Sequence, residues 1–218
     1  MTVFNILKAL GNVKLVAASK QQSIENIKSA IQSGIYCFGE NYVQEAIPKI
    51  EYFKSHKAEL SNLYPDINLE WHFIGHIQSN KTKEIAKYFD WVQSVDSKKI
   101  AARLNTQRSP DLLPLNICIE INETGNTQKS GITLNQLADL IAHIQTLHRL
   151  KFRGLMTMVT EDYKKAAKVF HDLKKQGYDI DTLSMGMSQD YLKAISLGAT
   201  MVRLGTILFG TRGERKIS

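Results

Sequence analysis

Thr200-Met-Val-Arg-Leu204 is a short apolar run, followed at once by Gly205-Thr206 and a brief helical segment, and it is the eighth such run in the chain. That ordinal decides the fold. The seventh run, 181–184, leads into a helical pattern that ends at Gly198. The sixth, 152–156, leads into a helix through Phe170 and Leu173 that stops at Gly177. The fifth is 116–121. After it Thr133-Leu-Asn-Gln136 has the form of a capping box, opening a helix with Leu137, Ile141 and Ile144 on one face. The fourth, 91–95, is followed by Asp96-Ser97, residues suited to cap the next helix. The third, 70–74, precedes a helix over 81–88, and the second, 36–38, one over about 43–53. The first, 14–19, precedes a helix that keeps Ile24, Ile27 and Ile31 together until Gly34.

Eight apolar runs alternating with eight helical segments predict parallel strands, each returned by a helix. Strands buried on both faces read as continuous apolar runs, and most of these do. An open doubly wound sheet usually carries fewer strands, and no Gly-x-Gly-x-x-Gly turn follows the first run. The expectation is α/β: a single (β/α)8 TIM barrel, one domain over residues 1–218, at the small end of the usual size.

The composition agrees. Of 218 residues, 43% are hydrophobic and 22% charged, which excludes a disordered chain and a fibre. No run approaches the roughly 18 apolar residues of a membrane helix. Residues 1–10 carry one lysine and no small-residue cleavage site, unlike a secretory signal. The two cysteines, Cys37 and Cys118, each lie in an apolar stretch, as thiols do in a reducing compartment. A cytoplasmic protein is expected. Lys+Arg exceeds Asp+Glu by 28 − 21 = 7, which favours an anionic partner. The basic residues are scattered, however, and the densest stretches (81–87, 164–175, 212–216) read as solvated helix faces or a tail rather than a nucleic-acid surface.

In a (β/α)8 barrel, functional groups sit at the C-terminal ends of the strands, and phosphate is commonly held after strands 7 and 8. Run 7 ends in Ser184-Met-Gly-Met-Ser188 and run 8 in Arg203-Leu-Gly-Thr206, both with glycines for close backbone approach and hydroxyls to donate. Run 1 ends in Ser19-Lys20, a lysine directed into the barrel mouth. An amine taken partly out of water is more readily available as a nucleophile, and with an aldehyde it forms a Schiff base. A phosphate site and an inward lysine in one mouth suit pyridoxal 5′-phosphate, and equally a Schiff-base aldolase acting on a phosphorylated sugar. His72 and His76 have zinc-like spacing, but Gly75 separates them at a strand end and no third ligand is near in sequence. No metal is expected, and His72 is read as a hydrogen-bonded barrel residue. Asn122-Glu-Thr124 is a formal glycosylation sequon, irrelevant in the cytosol, and residues 125–131 lack the order of a P-loop.

Several longer motifs stand in order: Val16-Ala-Ala-Ser-Lys20, Phe38-Gly-Glu-Asn-Tyr-Val-Gln-Glu45, Trp71-His-Phe-Ile-Gly-His-Ile-Gln-Ser-Asn-Lys81, Lys129-Ser-Gly-Ile132, Arg153-Gly-Leu-Met156, Leu183-Ser-Met-Gly-Met-Ser188 and Met201-Val-Arg-Leu-Gly-Thr-Ile-Leu-Phe-Gly210. From about residue 14 to 212 the chain resembles the pyridoxal phosphate homeostasis proteins, the YggS/PROSC family. The resemblance implies a barrel like the N-terminal domain of alanine racemase, without that enzyme's additional β domain. It implies that Lys20 holds pyridoxal 5′-phosphate (PLP) as a Schiff base, and that Asn41 lies near the ring. Ser184, Met187, Ser188, Gly205 and Thr206 match the phosphate loops, and Arg203 matches the residue facing the pyridine nitrogen. Lys129 and Gly131 belong to a loop after strand 5. Only 19 residues precede Lys20, so the helix before the first strand is expected to be shortened or absent.

The resemblance also bears on turnover. An arginine stays protonated and gives the ring nitrogen no proton, which leaves the ring a poorer electron sink. The tyrosine base of alanine racemase comes from the domain that this chain is expected to lack. A PLP carrier in vitamin B6 homeostasis, with no catalytic residue assigned, is the favoured reading, and a PLP-dependent amino-acid racemase of low activity is the alternative. PLP-dependent apo-enzymes are the implied partners, with no membrane and no specific nucleic acid. Loss of the second racemase domain, and with it a dimer surface, favours a monomer.

Overall fold

The structure, a computed structural model, describes residues 3–64, 67–122, 130–158 and 163–210. Eight parallel strands close into a barrel in sequence order. They are β1 (Lys14–Ala18), β2 (Cys37–Glu40), β3 (Glu70–Phe73), β4 (Trp91–Val95), β5 (Leu115–Glu120), β6 (Leu150–Met156), β7 (Thr182–Ser184) and β8 (Met201–Leu204). Closure runs through β8 against β1, where Lys14, Leu15, Val16 and Ala17 register with Met201, Val202, Arg203 and Leu204. The expected (β/α)8 barrel is therefore what the chain forms, with every anticipated strand within a residue or two of its predicted position.

Around the barrel lie α1 (Val3–Leu10), α2 (Ile24–Gln32), α3 (Val43–Ser55), α4 (Lys57–Leu63), α5 (Thr82–Tyr88), α6 (Lys98–Gln107), α7 (Leu137–Gln145), α8 (Tyr163–Lys175), α9 (Tyr191–Ser196) and α10 (Thr206–Phe209). Their starts follow local chemistry. Ser23 Oγ accepts from the Asn26 amide at 3.2 Å, and Ser97 Oγ from the Ile100 amide at 3.4 Å. The capping box at Thr133 forms as expected, although its first turn, Leu134–Gln136, is a 3-10 turn that then becomes α7. The helix ahead of β1 is short but present. Its eight residues bury Ile6 completely and Leu10 almost so, and this closes the wall that the short N-terminus had put in question. The helix α4 has no counterpart in the sequence pattern, because Leu60 is its only buried residue and one residue makes no apolar period.

Two apolar layers result. The larger lies between the barrel and the helices and includes Ile27, Phe38, Ile50, Phe73, Ile85, Leu104, Ile141 and Leu155. The smaller lies inside the barrel: Val16, Trp91, Cys118, Met156 and Met201. Since alternate residues of a strand share a face, Val16 and Ala18 carry the inward direction toward Lys20. A register shift at Ile117/Cys118 sits opposite Gly154 of β6. There φ is +143°, and a Cβ would fall 1.9 Å from the Thr182 carbonyl oxygen, so only glycine lets β6 and β7 approach this closely. Among the described residues no helix is long and apolar enough to cross a membrane.

Candidate functional site

The C-terminal ends of the strands form the mouth. At the end of β1, the Ser19 amide donates to the Gly39 carbonyl at 2.9 Å, and the chain then turns so that the Gln22 amide donates back to the Ser19 carbonyl at 3.0 Å. Lys20 is the second residue of that turn and is half-buried. Asn41, just after β2, is half-buried as well. The loop after β3 presses on its backbone: a Cβ on Gly75 would lie 2.3 Å from the Asn41 carbonyl oxygen. Lys20 and Asn41 thus flank the mouth on adjacent strands, as the sequence places them.

On the other flank of β1, past its seam with β8, the loops after β7 and β8 touch one another. Ser188 Oγ accepts from the amides of Gly205 at 3.2 Å and Ile207 at 3.3 Å. These are long bonds to donors that an anionic oxygen would hold more tightly. Thr206 begins α10 and is exposed, while Met187 is half-buried. Asp190 shapes this loop, taking the Met187 amide on Oδ1 at 2.7 Å and the Tyr163 hydroxyl on Oδ2 at 2.9 Å. Ser184 stands apart from the other four phosphate candidates. Its hydroxyl is fully buried, accepts from Arg203 Nη1 at 2.5 Å and donates to Gln93 Oε1 at 2.6 Å.

Arg203, only 4% exposed, also donates through Nη2 to the Thr157 carbonyl at 2.8 Å, so its guanidinium ties β8 to the ends of β6 and β7. The chain of bonds continues inward. Gln93 Nε2 donates to His72 Nδ1 at 2.8 Å, which leaves His72 Nε2 to carry the proton and donate it to Glu70 at 2.5 Å. Five side chains, joined by four hydrogen bonds, therefore connect the mouth to the opposite end with one polarity. Burial lowers the pKa of His72 despite the attraction of Glu70, in keeping with a neutral ring. The expectation of a hydrogen-bonded barrel histidine holds, and His76 is exposed on the following loop.

At the N-terminal end of the barrel, Cys37, Glu70 and His72 bring one potential ligand atom each within 4.8 Å of one another. The Lys14 ammonium is already paired with Glu70. Burial resists ionisation of Glu70, but the His72 hydrogen bond and Lys14 pull its pKa down to about 2; burial pushes the Cys37 thiol up to about 12. A carboxylate satisfied by a cation and an N–H, beside a protonated thiol, is a salt-bridged floor rather than a ligand set.

Sequence reasoning missed three groups. Gln93 is a polar residue in the middle of the apolar run Trp91-Val-Gln-Ser-Val95, and that interruption was the available signal. Glu120 closes β5 and is 4% exposed; burial, then Asp96, push its carboxyl up to about 7 against the pull of Arg203. Lys49, Glu40 and Glu45 form a buried ionic cluster behind the Lys20 turn. Lys129, residues 123–124 of the sequon and the basic stretch 212–216 fall outside the described residues. Gly131 and Ile132, beside that loop, return to β5, where the Ile132 amide donates to the Glu120 carbonyl at 2.8 Å.

The Lys20 amine, the neighbouring hydroxyls and amides of the β7 and β8 loops and the Arg203 guanidinium make a donor-rich mouth. That chemistry fits the aldehyde, phosphate and ring nitrogen of the cofactor implied by the resemblance. Comparison with known proteins agrees. The family model "Alanine racemase, N-terminal domain" matches residues 4–213. A pyridoxal phosphate homeostasis protein of Pasteurella multocida is 47% identical over 215 residues, covering 94% of this chain and 88% of that protein. Its counterpart in Escherichia coli is 44% identical over 213 residues with the same coverage. The structure of PipY from Synechococcus elongatus, solved with PLP bound, superposes with a TM-score of 0.80 at 31% identity, covering 95% of this chain and 98% of PipY. Alanine racemase from Corynebacterium glutamicum shares the fold, with a TM-score of 0.69 at 16% identity, and this chain covers 59% of it. The chain belongs to the alanine racemase N-terminal-domain family and, within it, to the pyridoxal phosphate homeostasis proteins.

Proposed function

We propose that this chain binds pyridoxal 5′-phosphate at the barrel mouth as a Schiff base on Lys20, and serves PLP homeostasis as a cytoplasmic, monomeric, single-domain carrier without efficient catalysis. The observation that carries the reading is the half-buried Lys20 at the end of β1, in the same mouth where Ser188 and the amides of Gly205 and Ile207 already meet. PipY, of the same fold at 31% identity, supports it, having been solved with PLP bound. When bound, PLP supplies an aldehyde that condenses with amines and a ring that withdraws electrons from them. The protein's share is to present the Lys20 amine, to hold the phosphate with amides and with the hydroxyls of Ser188 and Thr206, and to flank the ring with Asn41. Arg203, matched to the ring nitrogen, keeps its own protons and so leaves the ring nitrogen without one. That weakens deprotonation of a bound amino acid.

One observation favours the alternative, a racemase of low activity. Glu120 is a buried carboxyl beside Arg203 that titrates near neutrality, as a proton carrier would. Two of the three tyrosines that follow strand-end loops, Tyr42, Tyr163 and Tyr191, are less suited: the Tyr163 hydroxyl is committed to Asp190, and Tyr42 is exposed. Two measurements test the proposal. The purified protein should show the visible absorption of a PLP Schiff base, lost in Lys20→Ala, and loaded protein should pass its cofactor to an apo-enzyme faster than a trap for free PLP can intercept it. Sustained interconversion of L- and D-alanine, abolished by Lys20→Ala, would establish the racemase instead. Turnover of a phosphorylated sugar by protein free of PLP would establish an aldolase.

A further inference from the structure

Lys49 is a buried lysine, 6% exposed, on the inner side of α3. Its ammonium has three protons and three acceptors: the Ser19 carbonyl at 2.8 Å, Glu40 Oε1 at 2.9 Å and Glu45 Oε1 at 2.8 Å. Glu40 is fully buried and also takes the Ser19 hydroxyl at 2.7 Å. Glu45 Oε1 takes, besides Lys49, the backbone amide of Gln21. Every bond of the cluster therefore ends on the ammonium or on a residue next to Lys20 in the chain: Ser19 before it, Gln21 after it.

The turn held in this way is unusual. Gln21 has φ +62°, the only non-glycine residue with positive φ among the described residues. With the Gln22 amide donating to the Ser19 carbonyl, Ser19-Lys20-Gln21-Gln22 has the pattern of a turn that calls for glycine at its third position. A side chain in that conformation persists only where its surroundings impose it. The cluster is what surrounds it. Burial raises the Glu40 pKa, and Lys49 and the Ser19 hydroxyl oppose that rise without cancelling it.

We propose that Lys49, Glu40 and Glu45 are positioning residues for Lys20: a buried ionic anchor that imposes the left-handed conformation of Gln21 and so aims the Lys20 amine into the mouth. None of the three touches the cofactor in this account, which rests on the PLP reading given above. The anchor explains why a residue other than glycine is tolerated at position 21: the backbone conformation is imposed by Glu45 rather than chosen by the residue.

Substitution with glycine separates positioning from folding. Glu45→Ala, at a partly exposed site, removes the acceptor for the Gln21 amide and should weaken PLP binding by roughly tenfold, the scale of one charge-assisted hydrogen bond. It should also slow the growth of the Schiff-base absorption. Glycine adopts positive φ freely, so adding Gln21→Gly should restore most of both losses. Lys49→Met should show the larger defect and a partial rescue by the same glycine. Each variant is measured by PLP titration, absorption kinetics and thermal melting on the full chain. Unchanged PLP affinity and rate in Glu45→Ala would overturn the proposal, as would a folded Glu45→Ala whose defect Gln21→Gly leaves untouched. A wild-type protein that forms no Schiff base on Lys20 would instead remove the reading on which the proposal rests.

Discussion

Glu120 and Ser184 show what single residues contribute once the barrel has placed them. Glu120 has a folded pKa of about 7, above the value near 4.3 expected in the unfolded chain. The folded state therefore holds this proton more tightly than the unfolded state does. The cost of ionising Glu120 in the fold is absent below pH 4, builds as pH rises through the window between the two values, and is complete above pH 7. Glu120→Gln, which cannot ionise, should match wild type near pH 4 and exceed its stability at pH 8 by on the order of 3 kcal/mol, at about 1.4 kcal/mol per pH unit. Urea unfolding of the cofactor-free proteins at both pH values measures it. An equal difference at both would place the ionisation cost elsewhere. For the phosphate loops, Ser188→Ala and Thr206→Ala should each weaken PLP retention by about 1.5–3 kcal/mol, read by dialysis against a PLP trap. Ser184→Ala acts differently, because its hydroxyl serves Arg203 and Gln93. It should disturb the absorption of the bound cofactor more than its retention.

At the scale of elements, β6 depends on Gly154. Gly154→Ala forces either a strained φ or a clash with the Thr182 carbonyl, and it should part β6 from β7, destabilising the protein by more than 3 kcal/mol, the high end for point substitutions. Denaturant midpoints will show it, and Gly177→Ala, with open space around its Cβ, gives the comparison for strain without a clash. Elements also mark how far the sequence could be read. The eight strands were legible because buried parallel strands are mostly written as continuous apolar runs, α2 because Ile24, Ile27 and Ile31 share a face that ends at Gly34, and α6 and α7 because serine and threonine caps stand at their starts. The helix α4 was not, having one buried residue. The places of Lys20 and of the two glycine-containing loops at strand ends were legible from strand order alone, and the family motifs singled out Asn41 and Arg203. The anchor at Lys49 was not, since no local pattern says that a lysine in the second turn of a helix will find a carboxylate from the neighbouring strand. Nor could spacing show that Ser184 points below the mouth while Ser188 stays above it.

The whole molecule is a barrel whose two ends do different work. The N-terminal end is closed by Lys14 paired with Glu70, and by Arg153 stacked on Trp91 and paired with Asp181. The C-terminal end is open and rich in donors, which suits the formal charge of +7 and an anionic ligand. Between the two runs the bonded series Arg203, Ser184, Gln93, His72 and Glu70, which holds the guanidinium still beneath the mouth. The central claim is that this architecture exists to present one amine, Lys20, to PLP. The most direct test is to reduce the loaded protein with borohydride, digest it and locate the pyridoxyl group by mass spectrometry. The account predicts one adduct, on Lys20. An adduct on Lys49 or on a surface lysine, with Lys20 unmodified, would contradict it.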